Sequence, residues 1–207
     1  MQGMSRAARA LAALIALVAW AGLAAQLDAS FARTGSIGAA GWVMLRYFTV
    51  LTNLLVAGLF TVLAFGRPGL SPSLQAGVTM AILLVGVVYG LLLRGLVELN
   101  GAAKLADLLL HHATPILAPL YWLAYAPKGA LRRRDPLIWA VFPLAYFPYA
   151  LARGALEGIY AYPFMDVGQI GWARIGVNAL VIGVAFIAVG YVVVWLDGRL
   201  ARRADTA

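Results

Sequence analysis

Three residue types that can cooperate in acyl transfer occur in this sequence at helical spacing. Thr49 lies in "RYFTVLTNLLV", while Asp107 and His111 lie in "KLADLLLHHATP". Asp107 and His111 are four residues apart, a separation at which helical side chains touch. A carboxylate can orient an imidazole, which then removes the proton from a weak nucleophile such as a threonine hydroxyl. These residues predict a nucleophilic site if two helices bring them together.

Further polar residues share helical faces with these three. Three expected helices each have polar residues on one face, at spacings of three or four residues. The second helix has Arg46, Thr49 and Asn53, with Thr52 alongside; the fourth has Lys104, Asp107, His111 and Thr114; and the fifth has Tyr146, Tyr149, Arg153 and Glu157. Arg46, Arg94 or Arg153 could receive a substrate carboxylate or stabilise an oxyanion. A purely structural interpretation stays open, because membrane threonines commonly bond the carbonyl four residues back or join neighbouring helices.

The composition indicates that a membrane surrounds the helices that carry these residues. The 207 residues are 63% hydrophobic and 12% charged, with a mean hydropathy of +0.87, which is too apolar for a soluble domain. The net charge of +8 is spread over short basic blocks between apolar runs, which is typical of topology signals and argues against nucleic acid as a partner. The absence of cysteine excludes disulfides, thiolate metal sites and a cysteine nucleophile.

Six apolar runs approach the roughly 20 residues that a membrane-spanning helix needs. We therefore predict an all-α integral membrane bundle in one domain, 1–207, with helices near 7–26, 42–65, 75–95, 105–126, 136–157 and 172–196. The first run has basic residues ahead of it and small residues after it, so a cleaved signal peptide is an alternative for that run.

The basic residues predict the orientation of the bundle. One side holds ten of them: Arg6, Arg9, Arg67, Lys128, Arg132, Arg133, Arg134, Arg199, Arg202 and Arg203. The other side holds five: Arg33, Arg94, Lys104, Arg153 and Arg174. Because basic residues concentrate in cytoplasmic loops, both termini are expected in the cytoplasm and the protein in the inner (plasma) membrane.

This topology makes a prediction about depth. Thr49 would lie about seven residues inside its helix and His111 about six, which at 1.5 Å per residue puts both roughly 10 Å below the outer boundary. The two side chains are therefore expected to meet in a cavity of the outer leaflet.

The segment "IYAYPFMDVGQIGWAR" has two interpretations. Its aromatic residues suit a membrane-interface belt, and its proline and glycines suit a turn into the last helix. Alternatively the segment covers the cavity, with Asp166 reaching Arg153, Arg94 or His111.

Three segments, "RYFTVLTNLLV", "LLHHATPILAPLYWLAYAPKG" and "FPLAYFPYALARGALEGIYAYPFMDVGQIG", carry a resemblance that runs from about residue 40 to 175. They resemble the androgen-induced-protein family of multi-pass membrane proteins, in particular its bacterial six-helix branch. Animal members hydrolyse fatty acid esters of hydroxy fatty acids through an intramembrane threonine and histidine. The resemblance implies a membrane lipid or fatty acid ester as substrate and no cofactor.

Carried onto this sequence, the family threonine follows a basic–aromatic pair and falls on Thr49, with Thr52 as the alternative. The family histidine falls on His111, four residues before Pro115, whereas pairing it with a threonine two residues later selects His112. The expected function is thus an intramembrane threonine hydrolase, with Thr49 as nucleophile, His111 as base and Asp107, Arg46, Asn53, Arg153 and Asp166 in support.

Two other classes remain open. A small-molecule or proton-coupled transporter would also place His, Asp and Arg in the membrane, although the sequence has no inverted repeat. A non-catalytic membrane protein would use the polar faces only to join helices. A haem or metal site is disfavoured, because adjacent histidines on a helix point ~100° apart.

Overall fold

The computed structural model describes residues 4–66 and 70–204, and its regular structure over these residues is entirely helical. The α-helices are α1 (Arg6–Thr34), α2 (Ile37–Met44), α3 (Phe48–Ala64), α4 (Pro72–Val88), α5 (Gly101–Asp107), α6 (Thr114–Tyr125), α7 (Asp135–Glu157) and α8 (Val167–Ala204). A π-helical turn, Tyr89–Leu93, extends α4, and a second, Leu108–Ala113, joins α5 to α6. The basic residue Arg67 and the side chain of Arg203, both counted in the charge asymmetry, lie outside the described part of the chain.

The chain divides into two compact units, Met1–Pro127 and Lys128–Ala207. The single domain expected over 1–207 stays a prediction. In the first unit, α1 packs against α2, α3 and α5, and its small side chains Ala12 and Ala19 are fully buried together with Ile15. Small residues let neighbouring helix backbones approach closely, which is how helices associate in an apolar solvent.

The helix expected over 42–65 is divided, which corrects the sequence interpretation. α2 ends at Met44 and α3 begins at Phe48, and the two axes differ by 97°. The N–H groups of Arg46 and Tyr47 bond carbonyls only three residues back, and Tyr47 then becomes extended (φ −96°, ψ 129°). This tightening ends α2, so Arg46 lies in the turn and does not share a helix with Thr49.

Two glycines bring the helices of the first unit close to the second π-helical turn. A Cβ at Gly22 of α1 would lie 2.5 Å from Leu110 Cδ2, and one at Gly86 of α4 would lie 2.7 Å from Pro115 Cβ. Only glycine fits at these positions without a shift of the neighbouring helix, because interiors are packed to contact distance.

In the second unit, α7 and α8 pack against each other, and a Cβ at Gly190 would lie 2.8 Å from Pro136 Cβ. A short 3₁₀ turn, Pro163–Met165, precedes α8, in which Gly171 interrupts the helix at φ 74°. Glycine adopts this left-handed conformation without a Cβ clash.

Several helices are suited to a membrane. Among the described residues, Arg6–Thr34, Pro72–Leu93 and Val167–Arg202 are long and apolar enough to cross one, and α2 with α3 would form a fourth span if the bent pair crosses as a unit. α1 and α8 exceed the expected runs 7–26 and 172–196, whereas α7 matches 136–157 to within a residue. The remaining spans and the cytoplasmic location of the termini stay predictions.

Candidate active site

Thr49, His111 and Asp107 form one chain of contacts in the first unit. Thr49 Oγ1 lies 3.2 Å from His111 Nε2, and His111 Nδ1 lies 3.0 Å from Asp107 Oδ1. The tautomer that satisfies both contacts has the proton on Nδ1, donating to the carboxylate, and leaves the lone pair of Nε2 to accept from the threonine. The predicted meeting of Thr49 with His111 is thus present, whereas their catalytic roles stay predictions.

The π-helical turn explains why the histidine segment can bind a second helix. The N–H of Thr114 donates to the carbonyl of Leu109, five residues back, and so bypasses Leu110. Pro115, which follows, has no N–H. The carbonyl of Leu110 is therefore left without the backbone donors that it would have in a regular helix, and π-helical turns of this kind are frequent at functional sites.

Asn53 and Thr114 occupy that carbonyl. Asn53 Nδ2 donates to Leu110 O at 3.3 Å and to Thr49 O at 2.9 Å. The single hydroxyl proton of Thr114 is shared between Asn53 Oδ1, at 2.7 Å from Oγ1, and Leu110 O, at 3.2 Å. Asn53 and Thr114 are fully buried. This network joins α3 to the π-helical turn beside the contact between Thr49 and His111, so it fixes the distance between them.

The break before α3 gives Thr49 a position that the sequence did not predict. Tyr47 is the N-cap residue of α3, so Thr49 lies in its first turn and not seven residues inside a helix. The helix dipole is positive at this end, and the N–H groups of Val50 and Leu51 both donate to the Tyr47 carbonyl, at 3.1 and 3.2 Å. Thr49 is 7% exposed, and Arg46, equally buried, lies in the turn just before α3.

Tyr89 is a member of this cluster that the sequence analysis missed. Its hydroxyl donates to Asp107 Oδ2 at 2.8 Å, and its ring stacks on that of His111 with centroids 4.2 Å apart and planes at 15°. Gly86 lies three residues earlier, where it contacts Pro115. Gly86 and Tyr89 share a face of α4, but neither belongs to a row of polar residues at helical spacing, so the sequence analysis did not select them.

The alternative residues have different surroundings. His112 Nε2 lies 4.0 Å from Asp107 Oδ2, beyond hydrogen-bond reach, and its ring meets Tyr89 edge-on at 5.2 Å. Thr52 is fully buried, and within the described residues its hydroxyl has no hydrogen-bond partner. Of the two threonines and two histidines, Thr49 and His111 are the pair in direct contact.

Arg153 and Asp166 belong to the second unit, and each has local contacts there. Arg153 is 5% exposed and donates to Glu157 from both Nε (2.7 Å) and a terminal nitrogen (3.3 Å), and to the Tyr149 hydroxyl at 3.0 Å. Asp166 accepts from the N–H groups of Gly168 and Gln169 at 3.0 and 3.3 Å, which caps the start of α8. Their participation in the Thr49 site stays a prediction.

A cavity of about 450 Å³ borders the carboxylate side of the site. Its lining residues are Gly101, Lys104, Leu105, Asp107, Leu108 and His112. Over residues 4–66 and 70–204, no group of three His, Cys, Asp or Glu side chains has an arrangement that could hold a metal ion. The side chains in contact at the site supply a hydroxyl, an imidazole and a carboxylate.

Comparisons with protein-family models, with curated proteins and with solved structures each found no match to this chain.

Proposed function

We propose that this chain is a multi-pass protein of the inner (plasma) membrane, with six transmembrane helices and both termini in the cytoplasm. Support comes from the three apolar helices and the bent pair α2–α3. The continuous helical segment from Gly101 to Tyr125 and the 23 residues of α7 each have the length of about 20 residues that a span requires. The asymmetric distribution of basic residues supports the orientation.

We further propose that the first unit is an intramembrane threonine hydrolase that acts on lipid esters. The observation that carries this proposal is the aligned chain from Thr49 Oγ1 through both ring nitrogens of His111 to Asp107 Oδ1. A hydroxyl bound to an imidazole, which is itself oriented by a carboxylate, is the arrangement that activates a weak nucleophile on many unrelated folds. A purely structural threonine would need no third group behind the histidine.

The reaction proceeds in two halves. His111 Nε2 accepts the proton of Thr49 as Oγ1 attacks the ester carbonyl carbon, and the imidazolium then gives this proton to the departing alcohol as the ester C–O bond breaks. Water attacks the resulting acyl-threonine, His111 takes a proton from that water, and Thr49 leaves with it as the acid is released. Asp107 holds the imidazole in the required tautomer and stabilises its charged form.

The position of Thr49 at the start of α3 suits the negative charge that develops in each half. The tetrahedral intermediate places an oxyanion beside the Thr49 backbone at the N-terminus of α3, where the positive end of the helix dipole lies. A lipid ester can enter such a site laterally from the bilayer.

The resemblance of "RYFTVLTNLLV" and "LLHHATPILAPLYWLAYAPKG" to the androgen-induced-protein family supports the same assignment, because it selects a threonine and a histidine on these two segments. It also suggests fatty acid esters of hydroxy fatty acids as substrates.

The test is hydrolysis of a long-chain 4-nitrophenyl ester by purified protein in detergent. We expect T49A and H111A to lose at least about a hundredfold in kcat, the usual contribution of a nucleophile and its base. Thr79→Ala is the matched control, because Thr79 is also a buried membrane threonine but bonds the Gln75 carbonyl of its own helix at 2.8 Å.

Folding of each variant is checked by circular dichroism and size-exclusion chromatography. If T49A folds and retains the activity of T79A, Thr49 is not the nucleophile. If the wild type has no esterase activity on any chain length while it mediates flux into proteoliposomes, the transporter interpretation replaces the hydrolase.

A further inference from the structure

We propose that Tyr89 is a positioning residue that makes Asp107 serve His111 rather than the adjacent His112. This inference rests on the proposed function for its kinetic consequences, whereas the contacts that carry it do not depend on the reaction. Helical spacing places His111 on the face of Asp107, whereas the role of Tyr89 does not follow from the sequence periodicity.

Asp107 has two carboxylate oxygens and two neighbouring histidines, of which only His111 lies at hydrogen-bond distance. Oδ1 faces His111 Nδ1 at 3.0 Å, and Oδ2 accepts from the Tyr89 hydroxyl at 2.8 Å, while His112 Nε2 lies 4.0 Å from the same Oδ2. The hydrogen bond from Tyr89 therefore takes one acceptor position of the oxygen nearest to His112 and holds that oxygen 4.0 Å from His112 Nε2. A movement of about 1 Å would bring His112 into hydrogen-bond range.

The ring of Tyr89 acts together with its hydroxyl. It stacks on His111 at 4.2 Å with planes at 15°, and it meets His112 edge-on at 5.2 Å with planes at 82°. The side chain of Tyr89 thus contacts both imidazoles and the carboxylate for which the two imidazoles would compete. His111 is held against a flat face, whereas the side chain of His112 is 39% exposed and has room to rotate.

The backbone places Tyr89 for this purpose. Tyr89 begins the π-helical turn that extends α4, and its carbonyl accepts from the Arg94 N–H, five residues on, at 2.9 Å. Gly86, one turn earlier, allows α4 to approach Pro115 to contact distance. The two π-helical turns, which carry Tyr89 and the histidines, therefore face each other across the site.

If Tyr89 keeps His112 from binding Asp107, removal of His112 should restore the activity that is lost when the Tyr89 hydroxyl is removed. Y89F keeps the ring but frees Asp107 Oδ2, so His112 can bind the carboxylate and pull it away from His111. We expect kcat to fall roughly tenfold, the equivalent of one charge-assisted hydrogen bond, with KM unchanged because the proposed role of Tyr89 acts through Asp107. H112A alone should stay within about twofold of wild type. The double variant Y89F/H112A should recover to within about threefold of H112A, because the competitor is gone.

The double-mutant cycle separates this role from simple packing. If Y89F/H112A is as slow as Y89F, or if Y89F retains wild-type kcat, the proposal is overturned. Thermal unfolding of Y89F and of the double variant is measured alongside, and recovery of kcat without recovery of the unfolding temperature supports the positioning role.

A second measurement does not require activity. In ¹⁵N-histidine-labelled protein, the wild type should show one imidazole N–H with the downfield proton shift of a carboxylate hydrogen bond, that of His111. Y89F should show a second such signal, from His112 Nε2, which H112A removes. An unchanged His112 signal in Y89F would overturn the inference even if the enzyme is active. If the wild type lacks esterase activity but the second signal appears, the proposed function fails and the role of Tyr89 stands.

Discussion

Replacement of Asn53 by leucine removes the side chain that joins α3 to the π-helical turn. Leucine has a similar volume, so the change deletes hydrogen bonds without opening a large cavity. Two of the lost bonds cross between helices, to Leu110 O and from Thr114 Oγ1, and the third stays within α3. Leu110 O keeps its bond from Thr114, so no buried carbonyl becomes orphaned.

The magnitude follows from these bonds. Interhelical hydrogen bonds in membranes contribute on average about 0.6 kcal/mol each, with a maximum near 1.7. With two such bonds, N53L should therefore reduce the free energy of unfolding by about 1–3 kcal/mol. The bond within α3 adds little, because the Thr49 carbonyl is also part of the helical ladder.

Reversible unfolding in mixed micelles of mild detergent and sodium dodecyl sulfate measures this loss. Thr79→Val is the matched control, because the Thr79 hydroxyl bonds only within α4, and we expect its effect to stay under about 0.5 kcal/mol. An N53L protein as stable as T79V would show that the network does not hold the two segments together. N53L should also lose esterase activity beyond its loss of folded protein, because Thr49 and His111 lie on the two segments that it releases.

Three further substitutions test the close packing at Gly86, the cap at Asp166 and the burial of Lys128. Gly86→Ala should destabilise the protein by about 1–3 kcal/mol, because the added Cβ would lie 2.7 Å from Pro115, whereas Gly90→Ala, with open space around it, should stay near zero in the same unfolding assay. Asp166→Ala removes the cap of α8 and should cost about 1 kcal/mol in unfolding free energy, with esterase kcat per folded molecule unchanged if the cap is its whole role. Burial lowers the pKa of Lys128 below its ordinary 10.5, so the native state binds fewer protons and stability should rise with pH from that lowered pKa up to 10.5. Lys128→Met should flatten this rise, and an unchanged slope would contradict the assignment.

The sequence was sufficient for the local half of the site. Asp107 and His111 touch because they are one helical turn apart, which needed only the period of the helix. The meeting of Thr49 with His111 was predicted from equal depths in two helices; the contact is present, although Thr49 lies in the first turn of α3 and not seven residues inside a helix. The hydrolase activity and the number of transmembrane helices stay predictions.

The parts that the sequence did not predict depend on tertiary contacts. A π-helical turn at Leu108–Ala113 is stable because Asn53, far away in the chain, bonds the carbonyl of Leu110 that the turn bypasses. The sequence shows that Pro115 has no N–H to donate to the Leu110 carbonyl, but it does not show that Asn53 supplies the missing donor. The turn between α2 and α3 was also not predicted, because the apolar residues continue across it and Arg46 is the only charged residue near it.

The residue of this protein that reacts covalently can be identified directly. A fluorophosphonate probe transfers its phosphonyl group to an activated hydroxyl with loss of fluoride, and mass spectrometry of the digested protein locates the adduct. We predict one adduct on Thr49 in the wild type, strongly reduced in H111A and retained in T79A. An adduct on another residue, equal labelling of H111A, or no labelling of folded wild type would contradict the assignment of Thr49 as a nucleophile activated by His111.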